Sequence, residues 1–110
     1  MKLSEKQQIF TLNVARLIMW AETQGYRLTF GETFRPPEMA LMYAKQGIGI
    51  IDSLHCKRLA VDFNLFVNGQ YMQDSESYAR LGVAWEALDP KNRWGGRFKI
   101  MDGNHFEMRE

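Results

Sequence analysis

The stretch from Arg58 to Phe66 most constrains the fold, because apolar side chains recur at every second position. Successive side chains of a β-strand point to opposite faces, so this alternation predicts a half-buried strand. Its two faces are Leu59, Val61, Phe63 and Leu65 on the predicted core side, and Ala60, Asp62 and Asn64 on the other. We therefore expect a sheet to form the centre of the fold.

Turn signals and short apolar runs predict the partners of this strand. Asn68-Gly69 is a tight-turn pair, and Asp102-Gly103-Asn104 is a turn sequence between two short apolar runs. Four further strands are predicted, over residues 26–30, 70–72, 98–101 and 105–108. Two segments are predicted to be loops, over residues 48–52 and 91–97.

Helical periodicity predicts three helices, over residues 4–25, 36–46 and 75–89. Ser4 and Gln7 resemble a capping box at the start of the first and longest helix, and Gly47 is suited to cap the second. Pro90 cannot continue the third. The elements together predict an α+β fold, in which a small antiparallel sheet packs with about three helices.

Composition excludes several classes of protein. The chain has 110 residues, of which 45% are hydrophobic, so we expect one domain over residues 1–110. Scattered basic residues and a net charge of +1 argue against nucleic-acid binding. We find no signal-like N-terminus and no apolar stretch long enough for membrane insertion, and we expect a cytoplasmically synthesised monomer.

Histidine and aspartate offer the chain's best candidate site. The single cysteine, Cys56, excludes a disulfide and a Cys-rich zinc site, so any metal must use histidine and carboxylate. The two histidines are His55 and His105, and Asp62 interrupts an apolar strand, where an unpaired carboxylate is costly. Two histidines and one aspartate can hold a catalytic metal, although ordinary hydrogen-bonded histidines remain an alternative.

Two motifs resemble the signatures of a known family. Ser53-Leu54-His55 with Ala60-Val61-Asp62 matches S-x-H-x-x-G-x-A-x-D, and Asp102 to His105 matches D/E-x-x-H. These are the patterns of the zinc D-alanyl-D-alanine carboxypeptidases and phage L-alanyl-D-glutamate endopeptidases. The resemblance extends from about Gly31 to Glu107, and the Arg-Trp-Gly-Gly stretch from Arg93 resembles the phage endolysin branch.

The resemblance implies that Zn²⁺ is the cofactor, and it implies roles for individual residues. The implied metal ligands are His55, Asp62 and His105. Asp102 would be the general base, and Arg35 would bind the scissile carbonyl oxygen, with Ser53 and Trp94 also contacting substrate. From the residues alone, turn capping by Asp102 and Ser53, a surface position for Arg35 and core packing of Trp94 remain open.

The implied function is that of a phage-type endolysin. It would hydrolyse the L-alanyl-D-glutamate bond of bacterial peptidoglycan stem peptides, acting on the cell wall after release from the host cytoplasm. A D-alanyl-D-alanine carboxypeptidase or dipeptidase is the first alternative, and a non-catalytic metal-binding virion protein the second. One departure stands out, since Arg58 occupies the position of the motif glycine.

Overall fold

A computed structural model describes residues 1–48 and 53–110, so most of the predicted loop over 48–52 lies outside the described residues. The predicted α+β class is confirmed. The helices are α1 (Leu3–Thr23), α2 (Pro37–Lys45) and α3 (Ala79–Leu88). The strands are β1 (Tyr26–Phe30), β2 (Ala60–Val67), β3 (Gln70–Met72), β4 (Asn92–Trp94) and β5 (His105–Met108). Three short 3₁₀ helices cover Leu54–Lys57, Ser75–Tyr78 and Gly95–Arg97.

Strand β2 is the centre of an antiparallel sheet with the order β1-β2-β5-β4. Its second half pairs with β1 on one side and with the short β3 on the other. Its first half pairs with β5, so that Asp62 lies directly opposite His105. The alternating segment found in the sequence therefore joins the hairpin to the part of the sheet that carries the candidate ligands.

The core lies between this sheet and helices α1 and α3. Trp85 is fully buried at its centre, with its ring 5.6 Å from that of Phe10 and 6.2 Å from that of Phe106. The Trp85 indole nitrogen donates to the Glu107 carbonyl at 2.9 Å. Trp85 thus ties α3 to the backbone of β5, the strand that contains His105.

The predicted capping box of α1 is wrong. The helix begins at Leu3, and the Glu5 carboxylate accepts a hydrogen bond from the Lys2 backbone N–H at 3.0 Å. Ser4 consequently lies in the first turn of the helix. The capping role of Gly47 after α2 is confirmed, since Gly47 has φ +74° and its N–H donates to the Ala44 carbonyl.

The predicted strand over 98–101 is also wrong, because β4 forms earlier, inside the predicted loop. Ile100 and Met101 are 85% and 68% exposed, so their apolar pattern does not mark a core strand. Asn92 is held instead by its side-chain amide, which donates to the Trp85 carbonyl at 2.9 Å, and Trp94 is buried. The predicted loop over 91–97 is polar, contains glycine and shows little strand pattern. The tertiary contacts of Asn92 and Trp94 nevertheless make part of it a strand.

Among the described residues, no helix combines the length and apolarity needed to cross a bilayer.

We predict that Tyr78→Phe destabilises the chain by about 1–3 kcal/mol, because it leaves two buried backbone groups unpaired. The buried Tyr78 hydroxyl donates to the Met72 carbonyl at 2.7 Å and accepts from the Leu65 N–H at 3.0 Å. Urea unfolding measures the effect. Tyr71→Phe is the matched control, since Tyr71 is exposed and its hydroxyl makes a long hydrogen bond of 3.4 Å to the Asn64 side chain. Equal unfolding free energies for the two variants would contradict the prediction.

Candidate metal centre

Three separate elements bring His55, Asp62 and His105 together. One possible ligand atom from each residue lies within 4.8 Å of the others. The Asp62 carboxylate oxygen Oδ1 is 3.1 Å from Nδ1 of His105 and 3.2 Å from Nε2 of His55. Both imidazoles are buried, at 3% and 8% exposure. The structure thus brings the three predicted ligands together, with one nitrogen of each ring facing the same carboxylate.

A single 3₁₀ turn, Leu54–Lys57, presents His55 to this cluster. Ser53 caps the turn, and its hydroxyl accepts from the His55 N–H at 3.2 Å. Arg58 ends the turn in the left-handed conformation at φ 55°, which is the backbone requirement that the motif glycine would meet. The Arg58 guanidinium lies 4.0 Å from the centre of the Phe34 ring. Arg58 therefore preserves the bend before β2 without glycine.

Hydrogen bonds behind the two rings determine which nitrogens face the centre. His55 Nδ1 lies 2.9 Å from the Thr33 carbonyl, to which it can only donate, so Nε2 is left as the lone-pair donor. His105 Nε2 lies 2.8 Å from Oε1 of Glu107, which leaves Nδ1 toward Asp62. Sequence analysis did not identify Thr33 and Glu107 as hydrogen-bond partners of the two histidines. Glu107 shares the strand face of His105 two residues away, and that spacing could have identified it.

The electrostatics of the centre favour a positive charge. Burial by itself raises the pKa of Asp62, but hydrogen bonds from His105 and His55 bring that pKa down to about 2. For His105, burial opposes the charged form, whereas Asp62 and Glu107 raise its pKa to about 9. The cluster of carboxylates thus stabilises a cation at this point in the fold.

The donor set fits a divalent metal ion. Two imidazole nitrogens and one carboxylate oxygen are typical ligands of catalytic zinc, which leaves a further coordination position for water or substrate. Each ring is fixed by a partner on its far nitrogen, as is common for metal-binding histidines. The three side chains could therefore hold a metal ion with little rearrangement of their surroundings.

A cleft of about 620 Å³ opens onto the centre. Asp102, Arg35 and Ser53 line it, together with the three candidate ligands. Its remaining lining residues are Ile48, Leu54, Arg93, Phe98, Ile100, Met101 and Glu107. All six predicted site residues other than Trp94 therefore line this one cavity. The cleft is large enough for a short peptide segment.

Asp102 lies at the mouth of the cleft in the turn before β5. Its N–H donates to the Gly95 carbonyl at 2.9 Å, and its carbonyl accepts from the His105 N–H at 3.0 Å. Burial raises the pKa of its carboxyl, and the negative charge of Asp62 adds to this, whereas His105 acts in the opposite direction. Asp102 is therefore fixed by its backbone, while its side chain remains exposed to the cleft.

Arg35 reaches the cleft from the segment before α2. Its backbone N–H donates to the His55 carbonyl at 3.2 Å. Its guanidinium pairs with the Glu32 carboxylate, with Nε 3.2 Å from Oε2. The pairing raises the pKa of Arg35. Glu32 also lies 3.7 Å from Nε2 of His55. It is a second carboxylate beside the centre, after Glu107, that sequence analysis did not identify.

Trp94 is not among the residues that line the cleft. Its indole is 8% exposed and donates to the Gly103 carbonyl at 2.7 Å. A Cβ atom added at Gly82 or Gly96 would overlap the indole ring, which shows how closely both backbones pack against it. In this position Trp94 supports the turn that contains Asp102, and its contact with substrate stays a prediction.

The chain is similar in sequence and in fold to known proteins. The sequence profile described as D-alanyl-D-alanine carboxypeptidase matches residues 47–108, more than half of the chain. The solved L-Ala D-Glu endopeptidase ChiX of Serratia marcescens is similar in fold, with a TM-score of 0.73, 22% identity, and coverage of 96% of this chain and 85% of ChiX.

A second solved structure is a mutant of the vancomycin resistance D,D-pentapeptidase VanY, from a VanB-type resistance cassette, in complex with Zn(II). It is similar with a TM-score of 0.61 and 16% identity, over 90% of this chain and 70% of VanY. No curated protein matches the sequence.

We predict that Gly95→Ala disturbs the centre, because a Cβ atom there would lie 2.9 Å from Cβ of His105 and would overlap the Asp102 carbonyl oxygen. The turn before β5 would have to move, at a cost of about 1–3 kcal/mol. Urea unfolding and metal titration measure the two effects. Val83→Ala, at an exposed position of α3, is the control and should change neither. An unchanged affinity and stability in Gly95→Ala would contradict the close approach.

Proposed function

The chain belongs to the D-alanyl-D-alanine carboxypeptidase family, and on that premise we propose that it is a zinc-dependent peptidase that hydrolyses the L-alanyl-D-glutamate bond of peptidoglycan stem peptides. The observation that carries this proposal is the cluster of His55, Asp62 and His105 at the base of a cleft lined by Asp102. Such a set combines a metal site with a carboxylate that can move a proton.

Zinc is the proposed metal, and His55, Asp62 and His105 would hold it. Their donor set is typical of zinc, and VanY, which has a similar fold, was solved in complex with Zn(II). When bound, zinc supplies Lewis-acid chemistry, which polarises a carbonyl group and makes water more acidic. Thr33 would keep the His55 imidazole oriented toward it.

Asp102 is the proposed general base. Its carboxylate would take a proton from the attacking water as the water oxygen bonds to the scissile carbonyl carbon. As the C–N bond breaks, Asp102 would return that proton to the leaving amine, so that one carboxyl end and one amine end form. A carboxyl whose pKa is raised by burial is suited to hold a proton during this exchange.

Arg35 is proposed to stabilise the negative charge that develops on the carbonyl oxygen. Its guanidinium is 15% exposed and already oriented by Glu32, so little side-chain freedom would be lost on binding substrate. Ser53 lines the same cleft, and we propose that it contacts the peptide in addition to capping the turn of His55.

The choice of bond follows from two observations. ChiX is described as an L-Ala D-Glu endopeptidase, and its similarity covers nearly all of this chain. The Arg-Trp-Gly-Gly stretch from Arg93 also resembles the phage endolysin branch. The family description and VanY favour a D,D bond, which is the alternative. We extend the proposal to an endolysin that acts as a monomer on the host wall after release from the cytoplasm.

We predict that purified peptidoglycan treated with this protein yields fragments with new L-alanine carboxyl ends, as measured by mass spectrometry. Metal-free protein should give none, and added Zn²⁺ should restore the activity. The reason is that carbonyl polarisation and water activation would both depend on the metal ion held by the three ligands. Loss of terminal D-alanine would identify the D,D alternative. Absence of any cleavage by the zinc-loaded protein would contradict the peptidase proposal.

A second prediction concerns Asp102→Asn, which should lower kcat by about 10²–10⁴-fold, since the amide cannot accept the proton. Zinc affinity should stay close to that of the unmodified chain, because Asp102 is not one of the three ligands. Asp89→Asn is the matched control, as the Asp89 carboxylate accepts a hydrogen bond from the Lys91 N–H and Asp89 is not among the residues that line the cleft. A variant at Asp102 that binds zinc and retains full turnover would remove the assigned base.

A further inference from the structure

His105 is held from behind by a carboxylate that takes no part in the chemistry proposed above. Oε1 of Glu107 lies 2.8 Å from Nε2 of His105, the nitrogen that points away from Asp62. The other oxygen, Oε2, pairs with Nη2 of Arg93. Glu107 is 6% exposed, so both of its oxygens are engaged in a largely buried position.

The sheet register makes this arrangement possible. His105 and Glu107 are two residues apart on β5 and share one face of the strand. Arg93 on β4 lies directly opposite Glu107, while the small Ala60 lies opposite it on β2. A larger residue than alanine at this position would compete with Glu107 for space beside the centre.

We propose that Glu107 is a positioning residue, anchored by Arg93, that fixes the tautomer and orientation of His105 so that Nδ1 faces the metal. The inference rests on the proposed metal centre. A neutral imidazole carries one N–H, and a carboxylate acceptor at Nε2 keeps that proton away from Nδ1. Partners of this kind also increase the basicity of the ligating nitrogen.

Arg93 has a defined part in this arrangement. A buried carboxylate is costly to desolvate unless it is paired, and Arg93 supplies a charge-assisted hydrogen bond while its own side chain is 48% exposed. We therefore expect Arg93 to act on the metal centre through Glu107.

Metal affinity tests the proposal directly. We expect Glu107→Ala to bind Zn²⁺ about 10- to 100-fold more weakly in competition with a chromophoric chelator. Glu107→Gln keeps an acceptor oxygen and should lose less, and Arg93→Ala should also lose less than Glu107→Ala. Arg97→Ala is the control, because Arg97 forms an equivalent pair with Glu86, which lies outside the cleft lining, and its affinity should be unchanged.

Spectroscopy separates positioning from a purely structural role. With Co²⁺ in place of Zn²⁺, Glu107→Ala should shift the visible absorption bands, whereas Arg97→Ala should retain them. Zinc affinity and a cobalt spectrum equal to those of the unmodified chain in Glu107→Ala would overturn the proposal. If circular dichroism shows that Glu107→Ala is unfolded, Glu107→Gln becomes the test variant. A zinc affinity of Glu107→Gln equal to that of the unmodified chain would then overturn the proposal. Failure of the unmodified chain to bind zinc would instead contradict the proposed function.

Discussion

The pairing of Asp62 with His105 across β2 and β5 is the interaction on which the rest of the site depends. A carboxylate in the middle of an apolar strand requires compensation, and two buried imidazoles supply it on the same side of the sheet. Because strands β2 and β5 carry the core side chains on their other face, the residues that stabilise the fold also fix the ligand geometry. We therefore expect changes in the core to affect the centre.

The segment between α3 and β5 forms one side of the cleft. Trp94 is enclosed by the backbones at Gly82 and Gly96, and its indole nitrogen holds the Gly103 carbonyl. Gly95 in turn bonds to the N–H of Asp102. The aromatic residue thus helps to fix the turn that carries the proposed base.

Much of the framework could be predicted from local patterns. Alternation identified β2, the Asn68-Gly69 pair identified the hairpin, and Pro90 marked the end of α3 within two residues. Local pattern failed where tertiary contacts decide. The apolar run over 98–101 is a largely exposed segment at the cleft, whereas β4 forms in a polar stretch because Asn92 and Trp94 are held by partners distant in sequence.

By itself, the sequence determined the fold class and the candidate ligands, because strand periodicity and the scarcity of histidine are visible along the chain. Only the tertiary structure decided how those ligands are oriented. Thr33 and Glu107 act through hydrogen bonds on the far side of each ring, and the pairing of Glu107 with Arg93 depends on the register of β4 against β5. Such register is set by packing across the whole sheet, which no local spacing of residues specifies.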